Sequence, residues 1–163
     1  MNVLVKTNFP MGKANADQIG DTYFLIGLIN RFNNSFQAVA DLMFEELSWK
    51  QVFFMNCVML FPEAPTIKDM AELLGCSHQN AKQILSKLEN GGYLQVQQDA
   101  ADKRKQRIML TEKAATFQSN YDKPSEQAMQ QLFSGISAKN VESMIASLSQ
   151  LISNVEKMKG DTK

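Results

Sequence analysis

A chain of 163 residues with 44% hydrophobic and 21% charged side chains has the balance of one globular domain or one intertwined subunit, not of a disordered or collagen-like chain. Its 17 basic and 17 acidic residues cancel, so any attraction to a polyanion has to come from locally concentrated charge. There is no apolar run of about 18 residues, the first residues are too short and polar a stretch for a secretory signal, and Cys57 and Cys76 fit no metal or disulfide pattern; the expectation is a soluble cytoplasmic protein without metal or cofactor.

Residues 1–16 read as an arm, because NVLV has strand character and Pro10 with Gly12 interrupts it. From about Asp17 to Leu47, the residues Phe24, Leu28, Phe32, Phe36, Val39, Met43 and Leu47 recur at spacings of three and four, which predicts a long amphipathic helix. Asp17 and Asp21 suit its positive end, and Asn33-Asn34-Ser35 weaken its middle enough for a bend. About 30 helical residues span roughly 45 Å, more than a small domain needs, which points to packing on a second subunit. Ser48 and Gln51 then have capping-box spacing for a helix from Trp49 to about Leu60, apolar nearly all round and ended by Pro62 and Pro65.

Thr66 and Asp69 form a second such start, with Ile67, Met70, Ala71 and Leu74 facing inward and Gly75 as the stop. Ser77 is placed to cap the next helix, which buries Ala81, Ile84, Leu85 and Leu88 and ends at Asn90-Gly91-Gly92. Tyr93–Gln98 alternates as a strand, Asp99–Lys105 is a polar loop, and Arg107–Thr111 returns as a second strand. A helix follows from Thr111 to about Phe133, which Pro124 is expected to kink or divide. The last helix carries Val141, Met144 or Ile145, Leu148, Ile152 and Val155 near a heptad seam, the pattern of a pairing surface, and the tail from Gly160 is expected to fray. The ten methionines are read as adaptable core filler.

Helix, turn, helix and basic hairpin, from Thr66 to Thr111, are the parts needed to grip duplex DNA. Ser77, His78, Gln79, Asn80, Lys82, Gln83 and Lys87 offer short polar groups to base edges or phosphates from the second helix. Asp102, Lys103, Arg104, Lys105 and Arg107 mark the hairpin. Six basic and three acidic residues between Ser77 and Arg107 leave a local charge of +3 on a neutral chain. An arginine at a hairpin tip suits the narrow minor groove, and Asp102 is placed to pair with it or to cap the turn. An enzyme is not expected, since His78 has no nucleophile or carboxylate spaced around it and no glycine-rich phosphate loop is present.

This stretch resembles the winged-helix region of the MarR/SlyA transcriptional regulators. The match lies in Asp102-Lys-Arg104 followed by Ile108-Met-Leu110-Thr111, in Met70–Gly75 before Ser77, and in Leu88–Leu94. The resemblance implies a mainly α fold, a winged helix-turn-helix with a two-stranded β-wing on a helical dimerisation base formed by the N- and C-terminal helices. On that reading residues 1–16 are the arm, 17–48 and 112–160 the base, and 49–111 the DNA-binding domain. It also implies a homodimer that binds double-stranded DNA and represses, or occasionally activates, genes, with Gln79, Asn80, Lys82 and Gln83 at the major groove and Arg104 at the minor; two such helices in successive major grooves call for a pseudo-palindromic operator. Lys105 departs from the family's frequent second arginine, keeping the charge without the planar fork. Family members often bind a small aromatic ligand, which would here sit near Phe24, Phe32, Phe53 and Met55, and others sense oxidants through a cysteine, here Cys76 or Cys57. Read as residues alone, these six are core. The competing reading, favoured by the modest net charge, is a winged-helix protein-interaction module without DNA binding.

Overall fold

The computed structural model of the protein describes residues 20–161, in six helices and one two-stranded antiparallel sheet. The expected arm over residues 1–16 and the expected helix start at Asp17 lie outside the described residues. The chain divides into two compact units, one ending at Ala115 and the other beginning at Thr116.

In the first unit, helix α1 (Asp21–Asp41) runs without a break through Asn33-Asn34-Ser35, where Gln37 Nε2 donates to Asn33 Oδ1 at 2.9 Å. It stops six residues short of the expected Leu47. The apolar spacing continues past Asp41, but it is met by a turn that buries Phe44 and Leu47. The Asp41 carboxylate accepts the Trp49 N–H at 2.6 Å, one of the free donors at the start of the next helix. Helix α2 (Trp49–Val58) buries Val52, Phe54, Met55, Cys57 and Val58, and the Ser48 N–H donates to Gln51 Oε1 as the capping spacing predicts.

Helix α3 (Ile67–Leu74) starts on a reciprocal cap: the Thr66 N–H donates to Asp69 Oδ2 at 2.8 Å and the Asp69 N–H to Thr66 Oγ1 at 3.3 Å. It ends at Gly75, whose φ of 61° is left-handed and favours glycine. Helix α4 (His78–Asn90) is capped by Ser77 Oγ, which accepts the Asn80 N–H at 3.2 Å. The left-handed turn after it falls on Gly92 (φ 74°), while Gly91 keeps a right-handed backbone close beneath the Tyr93 ring.

Strands β1 (Leu94–Gln98) and β2 (Gln106–Leu110) pair with Leu94 opposite Leu110 and Gln98 opposite Gln106. The largest sealed side chains are Phe54, Met55, Pro65, Met70, Leu88, Leu94 and Ile108, so one core joins α2, α3, α4 and the wing. Helix α5 (Glu112–Leu132) passes through Pro124 undivided. Proline removes the hydrogen bond to the carbonyl four residues back, at Asn120, and both residues are exposed, so water can take its place.

In the second unit, helix α6 (Ala138–Asp161) follows a Ser137 cap on the Asn140 N–H and continues through Gly160. It leaves Met144, Ile145, Leu148, Ile152, Val155 and Met158 exposed.

Leu88 is fully buried on the inner face of α4, so Leu88→Ala leaves a cavity that the surrounding helices cannot close. It should lower the unfolding free energy by about 2–5 kcal/mol in urea titrations, with the m-value unchanged.

Candidate nucleic-acid interface

Helix α4 has two faces of opposite character. Ala81, Leu85 and Leu88 are buried and Ile84 is half-buried, whereas His78, Gln79, Asn80, Lys82, Gln83, Ser86 and Lys87 are exposed. Every residue the sequence assigns to the reading face therefore points away from the core. Ser77 is exposed as well, but its hydroxyl already accepts the Asn80 N–H, which makes it the cap of α4. Amide and ammonium groups standing in the first three turns of an anchored helix have the reach to donate to and accept from base edges. Behind the helix, Lys113 Nζ donates to the Gly91 carbonyl at 3.0 Å and lies 4.3 Å from the centre of the Tyr93 ring, a cation at the negative end of α4. The Tyr93 hydroxyl in turn donates to Glu46, which ties the root of the wing to the turn between α1 and α2.

The wing loop is built from its own hydrogen bonds. Asp102 Oδ1 accepts the Arg104 N–H and Nε, each at 3.1 Å, so Asp102 both caps the turn and pairs with the arginine. The Arg104 side chain remains 90% exposed at the tip, beside exposed Lys103 and Lys105. Gln98 Nε2 closes the loop by donating to the Lys103 carbonyl at 2.7 Å.

Arg107 is placed differently from its neighbours. Its side chain is 27% exposed, its Nε donates to Asp99 Oδ2 at 2.5 Å, and its Nη1 donates to the Ala64 carbonyl at 2.9 Å. Asp99 Oδ1 also accepts the N–H groups of Ala101 (2.9 Å) and Asp102 (2.7 Å). These donors, the two backbone amides and Arg107, hold the Asp99 carboxyl down at about 2. Hydrogen bonds from Arg104 lower Asp102, and those from Thr66 lower Asp69. The Asp99–Arg107 pair is diagonal across the hairpin, so it becomes predictable only once the register is known. The Ala64 contact, 43 residues away, has no local signal.

The remaining candidates are scattered. Phe32 and Phe53 are the exposed ends of an aromatic ladder that runs Phe32–Phe36–Trp49–Phe53, with ring centres 5.7, 4.9 and 5.6 Å apart. Met55 is sealed in the core and Phe24 is half-buried on α1. Both cysteines are free thiols. Cys57 is buried, and burial pushes its thiol pKa up, while Cys76 is half-buried just before the cap of α4. Among the described residues no set of three histidines, cysteines or carboxylates gathers as metal ligands, and no helix is long and apolar enough to cross a membrane.

Residues 54–158 match the family model described as "Sugar transport-related sRNA regulator N-term". Solved structures of the same fold carry MarR and SlyA names. The transcriptional regulator SlyA is 23% identical, with a TM-score of 0.72 over 88% of this chain and 100% of that one. A MarR/EmrR family transcriptional regulator from Acinetobacter sp. ADP1 is 16% identical, with a TM-score of 0.76 over 85% of this chain and 99% of that one. MepR of S. aureus, solved as a complex with DNA, is 21% identical, with a TM-score of 0.71 over 83% and 98%. At these identities the likeness establishes a mainly α winged helix-turn-helix fold of the MarR/SlyA type.

The depressed Asp99 carboxyl has a consequence for stability. Its folded value, about 2, lies below the 3.8 of a free aspartate, so its contribution is complete above about pH 5 and drains away as the pH falls through 3.8 toward 2. The difference in thermal midpoint between the wild type and Asp99→Asn should therefore be constant from about pH 7 to 5 and close between about 5 and 2.

Proposed function

The chain belongs to the family described as "Sugar transport-related sRNA regulator N-term", and we propose that it works as a sequence-specific DNA-binding transcriptional regulator in the manner of the MarR/SlyA proteins. One observation carries the reading. On a chain with no net charge, the exposed amides and lysines of α4 and the exposed Arg104 of the wing concentrate donors on one lobe. That lobe has a reading helix for the major groove and an arginine for the minor groove. Lys103 and Lys105 add phosphate-binding charge beside Arg104.

The working unit is a homodimer. Ile145, Leu148, Ile152 and Val155 follow a three-four-three spacing along α6 and are each more than 40% exposed, a seam of the kind that a second copy covers. Two reading helices one helical turn apart call for an imperfect palindrome with half-sites about 10–10.5 bp apart. A protein covering about two turns of duplex excludes others from it, so repression is the direct consequence. A small aromatic effector is the release signal that fits the exposed faces of Phe32 and Phe53. If the signal is oxidation instead, half-buried Cys76 is better placed than buried Cys57.

Against a duplex selected from a randomised pool, Arg104→Ala should weaken binding about five- to hundredfold. Unchanged affinity in a gel-shift titration would remove the wing from the interface. Placing glutamate at Ile145 and Ile152 together should convert a species of twice the 18.3 kDa chain mass into a monomer in sedimentation equilibrium, with loss of tight binding to the palindrome and retention of helical circular dichroism.

A further inference from the structure

Arg107 stands among the basic residues of the wing, yet its guanidinium is already engaged on two sides. Nε meets the Asp99 carboxylate, and Nη1 meets the carbonyl of Ala64, two residues before the Thr66 cap of α3. The next residue continues the attachment, with the Ile108 N–H donating to the Pro65 carbonyl at 2.9 Å. Two successive residues of β2 are thus fastened to two successive carbonyls ahead of the helix-turn-helix.

Asp99 carries the connection outward. One carboxylate oxygen takes Arg107 and the other takes the N–H groups of Ala101 and Asp102. Asp102 then takes the N–H and Nε of Arg104. The path runs Ala64 carbonyl, Arg107, Asp99, Asp102, Arg104. Its inner pair is largely withdrawn from solvent, with Asp99 13% and Arg107 27% exposed at their side chains, against 90% for Arg104.

We infer that Asp99 and Arg107 are positioning residues that hold the wing loop against the segment before α3, so that Arg104 keeps a set place relative to the reading helix. They are not contacts of the wing with DNA. The inference deepens the proposed DNA-binding function and rests on it for its effect on affinity, while the loop-holding itself is independent of DNA.

The two roles predict opposite signs. Asp99→Asn removes a negative charge near where the duplex would lie, which on charge alone strengthens binding. As a positioning residue its loss frees the loop and weakens binding to the selected duplex by about tenfold, while binding to a random duplex stays within about twofold. Arg107→Lys keeps the charge but not the fork, and should weaken selected-duplex binding to a similar extent with the salt slope unaltered. The double variant should be no weaker than the weaker single one, because both break one path.

A second readout needs no DNA. Trypsin cuts after Lys103, Arg104 and Lys105, and cleavage there should be faster in Asp99→Asn and Arg107→Lys at a temperature where circular dichroism shows all three proteins folded. Tighter binding by Asp99→Asn, or a salt slope lower by about one in Arg107→Met with cleavage unchanged, would overturn the inference and make Arg107 a phosphate contact. If the wild type binds no duplex while the variants are cut faster, the loop-holding role stands and the DNA-binding reading falls.

Discussion

Pro65 is where the helical and extended parts of the winged-helix lobe are joined. Its ring is sealed in the core, its carbonyl takes the Ile108 N–H of β2, and the residue after it begins the cap of α3. A proline suits this place because it needs no partner for an N–H and its backbone is already restricted. With Pro65 held, the start of α3 and the return strand of the wing cannot move independently. The reading helix follows from α3 through the left-handed Gly75, and the wing tip follows from β2 through Asp99 and Arg107. Both surfaces that would meet a duplex are referred to one buried junction.

That junction explains which parts of the fold are legible in the sequence. The Thr66–Asp69 cap, the Ser77 cap, the left-handed Gly75 and the buried triplet Ala81, Leu85 and Leu88 are all set by residues within one or two turns of each other. Spacing alone reveals them. The end of α1 is misread because the apolar spacing runs on through Phe44 and Leu47. Burial in a turn and burial along a helix leave the same pattern, and the Asp41 contact to Trp49, which fastens the end of α1 to the start of α2, is not registered by periodicity. Pro124 does not divide α5, where its pattern allowed a division or a kink. Its local cost is real, but at an exposed position water can take up the released carbonyl.

The candidate interface shows the same division. The exposed face of α4 is found by pattern, since it is whatever the buried face leaves over. What holds the wing is found only in three dimensions. Arg107 sits in a run of basic residues and has the chemistry of a phosphate contact, yet the register of the hairpin brings it diagonally to Asp99, and the Ala64 carbonyl completes its site. A positive residue in a wing is therefore weak grounds for a DNA contact until its guanidinium is known to be exposed. Arg104 meets that condition at the tip although it is paired with Asp102, because an exposed pair gives up little when a phosphate or a groove replaces the carboxylate.

Two of the chain's 17 acidic residues lie in the wing itself. Asp99 and Asp102 lower the count of positive charge in the wing, but each is committed to loop amides and to an arginine, so their cost in long-range attraction is offset by order in the loop. A wing of free lysines would attract duplex from farther away and hold it with less dependence on sequence, since that attraction is counterion release and is indifferent to bases. Spending two carboxylates to fix one arginine trades general affinity for register. On the proposed function, that trade suits a protein that has to find one site among many.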